Sequence, residues 1–276
     1  MNFKNMHPFK TLMPEKILEK RFIKELEKHH SLVIMSEAGS GSYGKAYIIQ
    51  NTINQGSFVL KRLRKRKWRS NDALLAFQLE QKILQTLSHP AIPKFVSSGE
   101  LLGIPFYIME RKYGYTLEEN LFTEQKVFSE EQSFHLACKL LKVITYMHEK
   151  GIVHRDIRIP NVLLQGDSIS LIDFGLGSFI DRNEEYDCNQ HPKQSKTYLS
   201  DLYCLGHFLL FLLYSNFKGD SCSGRSWEEE LNISMKSREI IKKLLLAAEP
   251  YPSSKAALDH VNRHIQILRG DKNGII

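Results

Sequence analysis

Two kinds of hydrophobic spacing divide this chain, and their order limits what it can fold into. From residue 32 to residue 110 apolar residues come in short runs bounded by Gly, Asn and Pro; beyond residue 129 they recur at helical spacing. "LVIMSEAGSGSYGKAYIIQ" reads as strand, Gly-rich turn, strand, and "NTINQG" turns the chain into a third strand, "SFVLKRL". A helix is expected from about Asp72 to Leu87, with Leu74, Leu75, Leu79, Ile83 and Leu84 on one side. "HPAIPKF" breaks it, and two more strands end in "IPFYIMER". Ser129 and Gln132 then form a capping-box pattern ahead of a helix with Phe134, Ala137, Cys138, Leu141 and Ile144 in one stripe. Further helices are expected at about 200–216, 235–247 and 253–267. Ahead of all this, Pro14 opens an amphipathic helix with apolar positions at Ile17, Leu18, Phe22, Ile23 and Leu26. Strands first and helices afterwards predict an α+β chain: a sheet-rich front lobe with one main helix, then a mostly helical rear lobe. The expected boundaries are 1–31 for the helical extension, 32–112 for the front lobe and its connector, and 113–276 for the rear lobe.

At 276 residues the chain can bury a sizeable core. "MNFKNMHPFKTLMPEK" has no apolar segment of the secretory kind. The longest apolar stretch, "LYCLGHFLLFLLY", is too short to span a bilayer and follows Asp201 directly, so a buried helix is expected. Cys138, Cys188, Cys204 and Cys222 show no metal-site or disulfide spacing. A soluble, cytoplasmic protein is the expectation. The net charge of +7 suits an anionic ligand, and "KRLRKRKWR", Lys61–Arg69, places seven basic residues in nine. Such a run is ordinarily a solvated face; the sharper reading is contact with DNA or another polyanion.

The chemistry-bearing segments are short. "GSGSYG" places Gly39, Gly41 and Gly44 in a hairpin turn, with Ser40 between the first two; there the backbone can approach phosphates closely. Lys61 sits between apolar strand residues, where a charge needs a partner, and Glu80 lies on the helix expected to pack against that strand. "VHRDIRIPNVLL" crowds Asp156 and Asn161 into a loop pinned by apolar residues; an ordinary turn and a catalytic loop both fit it. "LIDFGLG" sets Asp173 between apolar residues and a glycine. A carboxylate and a carboxamide at two loop ends suit Mg²⁺, which takes few protein oxygens.

In order and spacing these segments resemble the eukaryotic-like serine/threonine protein kinases, of the compact bacterial kind, from about residue 32 to residue 268. The resemblance implies the bilobal kinase fold, ATP and Mg²⁺ as cofactors and protein substrates. It also implies roles for named residues. Gly39, Ser40, Gly41 and Gly44 would cover the ATP phosphates, and Lys61, held by Glu80, would contact them. Asn161 and Asp173 would hold the metal, and Asp156 would be the catalytic base. Glu110 and Lys112 would offer backbone groups to adenine, beside Met109, Ala46 and Leu163. His154, Phe174 and Leu84 would stack in an apolar column anchored by Asp201.

Several positions depart from the family pattern. Arg158 stands where a lysine on the γ-phosphate is usual, and Ala46 replaces a valine. No "APE" lies between Asp173 and Asp201, and Tyr251 occupies the place of the arginine that normally pairs with the glutamate of that motif. A shortened activation segment follows, with Ser195, Thr197 and Tyr198 as candidate phosphorylation sites for Arg155 to receive. An active serine/threonine kinase that also modifies itself is the expected function. A kinase of small molecules or lipids and a pseudokinase scaffold are the alternatives.

Overall fold

The computed structural model describes residues 14–41, 44–68, 70–181, 183–184, 191–219 and 224–270. Ser42 and Tyr43 of the glycine turn, Arg69, Cys188 and Cys222 lie outside the described residues, as do residues 1–13 of the expected extension. The chain forms two compact units: one runs to Gln85 and resumes at Pro93–Arg111, the other holds Thr86–Ile92 and everything from Lys112 onward.

The first unit is built on a five-stranded sheet of β1 (Leu32–Ser40), β2 (Gly44–Asn51), β3 (Ser57–Leu63), β4 (Phe95–Leu101) and β5 (Ile104–Glu110). Its order is β1-β2-β3-β5-β4, with every neighbouring pair antiparallel. The glycine turn joins β1 to β2 as expected, and the Gly41 N–H donates to the Gly44 carbonyl at 3.0 Å. Gly44 is needed for packing: a Cβ there would sit 2.7 Å from the Arg62 carbonyl oxygen. Gly39 and Gly41 meet no such obstacle.

Two helices belong to this unit. Helix α1 (Glu15–His30) buries Leu18, Phe22 and Leu26, spaced i, i+4, i+8, while Ile17 faces solvent. Helix α2 (Asn71–Thr86) buries Ala73, Phe77, Glu80, Ile83 and Leu84, and leaves Leu75 exposed. The leucine stripe expected from sequence is therefore partly out of phase. The face that turns inward is the one that carries Glu80 to its partner Lys61.

The second unit is mostly helical. In chain order it holds β6 (Tyr115–Thr116), α3 (Leu117–Phe122), α4 (Glu130–Glu149), β7 (Ile152–Val153), β8 (Val162–Gln165), β9 (Ser168–Leu171) and β10 (Ser178–Phe179). Then follow α5 (Tyr198–Tyr214), α6 (Trp227–Glu230), α7 (Met235–Leu244) and α8 (Ser254–Gly270). The short strands pair as β6-β8-β9 and β10-β7. Ser129 and Gln132 do form a capping box on α4, and the predicted stripe of that helix is buried. Helix α5 is buried on most sides, which accounts for the strongly apolar sequence that follows Asp201. Among the described residues, no helix is long and apolar enough to cross a membrane.

Candidate active site

In the first unit, strand alternation decides what each residue of β3 faces. Ala46 on β2 pairs with Lys61 on β3, and both point to one side of the sheet. The Lys61 ammonium donates to the Glu80 carboxylate at 2.6 Å, with Glu80 buried. Lys61 and Glu80 are thus brought together as their sequence context predicts. The next residue, Arg62, faces the opposite side and has no exposed surface at all. Lys61–Arg69 is therefore not one solvated face. Lys61 and Arg62 belong to two different buried networks, and Trp68 is buried as well. Arg64 donates to the Ser40 hydroxyl, which ties the start of the basic run to the glycine turn.

At the end of β5, Met109 pairs with Val59 and Phe95. The Glu110 N–H donates to the Lys94 carbonyl at 2.8 Å, and the Glu110 carboxylate accepts from the Lys94 N–H at 3.1 Å. Glu110 therefore has its own N–H committed within the unit. Within the second unit, the Lys112 ammonium donates to the Pro90 carbonyl at 2.7 Å.

The second unit holds the loop between β7 and β8. Asp201, near the start of α5, is fully buried and anchors it: one carboxylate oxygen accepts the His154 N–H at 2.9 Å, the other the Arg155 N–H at 2.7 Å. His148 lies 2.9 Å from the first oxygen. Burial pushes the Asp201 pKa upward, but the His148 hydrogen bond, the electrostatic pull of the two imidazoles and the His154 amide outweigh it. The net direction is down, so the carboxylate stays ionised. His154 is buried edge-on against Phe174, their centroids 4.7 Å apart, as two members of the expected column. Its Nδ1 accepts the Asp156 N–H at 3.2 Å, which leaves Nε2 to donate to the Ile172 carbonyl at 3.2 Å.

This frame presents Asp156. Its carboxylate accepts from the Asn161 amide at 2.8 Å and from the Arg158 guanidinium at 3.0 Å. The Asn161 nitrogen also donates to the Asp156 carbonyl at 2.9 Å, so the amide oxygen is turned away from Asp156. The Ile172 N–H donates to the Asn161 carbonyl at 2.9 Å, which ties the segment carrying Asp173 to the Asn161 turn. Asp173 is exposed, and its backbone is left-handed with φ of 63°; Arg155 is left-handed too, at 66°. Each such residue costs on the order of 1–3 kcal/mol, and this kind of strain concentrates at functional sites. Among the described residues no cluster of three or more His, Cys, Asp and Glu could hold a metal. One carboxylate and one outward carboxamide oxygen, both hard donors, nevertheless fit Mg²⁺ that keeps waters and phosphate oxygens as its other ligands. Leu163 is buried on β8, paired with Ser170 and Thr116.

Among the described residues between Asp173 and Asp201, those just before α5 are tied to the Asp156 loop. The Arg155 guanidinium donates to the Lys193 carbonyl at 3.2 Å and the Gln194 carbonyl at 2.9 Å. Ser195 is buried, its hydroxyl 2.8 Å from that of Thr197. Tyr251 is buried, with its hydroxyl 2.7 Å from His260 Nδ1. Burial pushes the Tyr251 pKa up, which keeps it neutral.

Sequence reasoning missed Arg62 and its partners Glu15 and Glu19. The signal was present: Glu15 and Glu19 are spaced i, i+4 on the side of α1 next to Leu18 and Phe22.

A family model described as the protein kinase domain matches residues 32–204. The probable serine/threonine-protein kinase YbdM of Bacillus subtilis (strain 168) is 34% identical over 238 residues, covering 86% of this chain and 91% of that protein. Sperm motility kinase 3A of Mus musculus is 24% identical over 265 residues, covering 91% of this chain and 49% of that protein. The serine/threonine-protein kinase Nek11 of Homo sapiens is 31% identical over 154 residues, covering 54% of this chain and 24% of that protein.

Proposed function

Because the chain belongs to the protein kinase family, we propose that it transfers the γ-phosphate of ATP to serine and threonine hydroxyls of proteins, its own included. The observation that carries this reading is the Asp156 carboxylate, fixed by Asn161 at 2.8 Å and Arg158 at 3.0 Å on a loop anchored to a buried aspartate. A carboxylate held in that way orients an attacking hydroxyl and takes its proton as the new bond forms.

Arg158, half exposed beside Asp156, supplies a fixed positive charge and a forked donor for the transferred phosphoryl group. Lys61, oriented by Glu80, binds the α- and β-phosphates, and the backbone around Gly39, Ser40 and Gly41 covers them. Gly44 serves that turn by letting β2 lie close to β3. In the first unit the Glu110 carbonyl is the acceptor offered to the adenine edge, with Ala46 and Met109 as apolar contacts. Asp173 and the Asn161 amide oxygen are the residues that would hold Mg²⁺. When bound, that ion offsets charge on the phosphate oxygens.

The test is phosphate incorporation with Mg-ATP, followed by mass spectrometry for wild type and for Asp156→Asn. Phosphoserine or phosphothreonine in the wild type, with a rate roughly 10²–10⁴-fold lower in the variant, is the expected result. ATP binding without incorporation into itself or mixed proteins would favour a small-molecule substrate instead. Activity unchanged by DNA at low salt would remove the polyanion reading of the Lys61–Arg69 run.

A further inference from the structure

The face of the sheet opposite Lys61 carries a concentration of positive charge. Lys45 on β2 lies directly across from Arg62 on β3, and like charges in that position destabilise an antiparallel pair. Arg62 has no exposed surface. Neither cation has a compensating carboxylate on β2 or β3 themselves, since "GKAYIIQN" and "SFVLKRL" contain none. The compensation comes from α1, with Glu37 of β1 adding a more exposed contact to Lys45 at 3.3 Å.

Glu19 is the centre of it. Its carboxylate accepts from the Lys45 ammonium at 2.8 and 3.1 Å and from the Tyr47 hydroxyl, and it stands 3.7 Å from the Arg62 guanidinium. Arg62 in turn donates to the Tyr47 oxygen at 3.2 Å and to Glu15 at 3.0 Å. Glu15 also accepts the Lys65 N–H at 3.1 Å, at the turn that leads from β3 toward α2. Phe22, one turn beyond Glu19, places its ring 5.7 Å from the Arg62 guanidinium carbon and 5.9 Å from the Phe106 ring. One helix therefore touches β2, β3, β5 and the turn that leads to the helix carrying Glu80.

We propose that Glu19 is a positioning residue for nucleotide binding: by neutralising the facing Lys45 and Arg62, α1 sets the strand pair that presents Ala46 and Lys61 on its other side. Each of those residues is the chain neighbour of a cation on the α1 side, Ala46 of Lys45 and Lys61 of Arg62. A splay of β2 from β3 would move the two directly paired residues apart. Helix α1 is then a required part of the phosphate-binding frame, and whatever displaces it weakens ATP binding without touching the ATP site. The inference rests on the kinase reading above.

The full chain and three variants, Glu19→Gln, Lys45→Met and the double variant, test it. Titration with a fluorescent ATP analogue and Mg²⁺ gives nucleotide affinity; steady-state kinetics give KM and kcat; thermal melting gives the folded fraction. Glu19→Gln keeps shape but removes charge, and it is expected to weaken nucleotide affinity and raise KM for ATP about tenfold with kcat nearly unchanged. Adding Lys45→Met removes one of the two facing cations and should recover most of that loss. A lower kcat that follows the folded fraction at constant KM would overturn the inference, as would strictly additive effects of the two substitutions. Should Glu19→Gln not fold, Glu15→Gln removes only the more exposed carboxylate and is expected to raise KM in the same direction; an unchanged KM there overturns the inference. Wild-type protein that bound no nucleotide would overturn the kinase reading itself, whereas equal binding by wild type and Glu19→Gln would overturn only the role of Glu19.

Discussion

Asp201 in the second unit and Arg62 in the first are both fully enclosed charges, satisfied by different means. Asp201 is held by two main-chain N–H groups of consecutive residues and by one imidazole. Arg62 is held by side chains alone apart from one carbonyl, and its two carboxylate partners come from a helix more than forty residues earlier in the chain. Main-chain donors stay in place while the loop keeps its conformation. Side-chain partners on a separate helix stay only while that helix is docked. The Asp156 loop is therefore gripped through its own main-chain N–H groups by one buried carboxylate of α5, whereas the strand carrying Lys61 depends on side-chain contacts with α1. The difference teaches where this molecule is rigid and where it is conditional.

Removing the rigid anchor should have the largest effect. Asp201→Ala leaves the His154 and Arg155 amides without their acceptor and His148 without its partner. Breaking a buried charged network of this kind typically costs roughly 3–5 kcal/mol. A melting temperature lowered by many degrees, with phosphoryl transfer lost at temperatures where the wild type is active, is the expected outcome. A variant that kept activity and melting temperature would show the loop to be held by its own turns.

Next in size is Glu80→Gln, which keeps the shape of the Lys61 partner and removes its charge. Nucleotide affinity should fall more than stability does, and competition titration beside thermal melting separates the two. A purely structural role for the pair would lower both in step.

Acid sharpens the same comparison. Glu19 is half-buried, and burial raises its pKa; hydrogen bonds from Lys45 and Tyr47 and the charges of Arg62 and Lys45 outweigh that, so the net direction is down. Facing it are Lys45 and Tyr47 of β2 and Arg62 of β3, with Glu15 on its own helix and Glu37 of β1 at the rim of the cluster. A carboxylate with a folded pKa below its unfolded one contributes stability above the ordinary carboxylate range and loses it as pH falls through the folded value. Docking of α1 should accordingly weaken only in acid below the ordinary carboxylate range. Trp68 lies in the turn that Glu15 pins, so its fluorescence in a Trp227→Phe background should change in that window. Asp201 is also depressed but fully buried, and its protonation should coincide with global loss of the second unit.

The smallest effect belongs to Tyr251→Phe, which removes one hydroxyl and its contact with His260. About 1 kcal/mol is the expected loss, seen as a small shift in melting temperature with kcat unchanged.

The candidate catalytic segments are legible in the sequence because each is contiguous and its chemistry lies in residue type: Asp156 with Asn161, Asp173 beside a glycine, Lys61 between apolar residues. The capping box on α4 was legible for the same reason. Arg62 was not, since a basic residue inside a basic run reads as solvated, and only strand alternation placed it opposite Lys61. Leucine positions predict the wrong phase for part of α2, because Glu80 must turn inward to reach Lys61 and carries its own face with it. The neutral Tyr251–His260 contact depends on the path of α8 and has no local signature. Arg155 gripping the Lys193 and Gln194 carbonyls likewise could not be read, because main-chain acceptors leave no trace in residue identity.

The left-handed backbone at Asp173 has a bearing on descent as well as chemistry. Most side chains are disfavoured there, and the two that share aspartate's tolerance are asparagine and glycine. Each is a single base change away from an aspartate codon. Drift at this position therefore favours descendants that still fold but have lost the carboxylate. Silent copies of this chain should be found first as Asn or Gly at 173, with the rest of the scaffold intact.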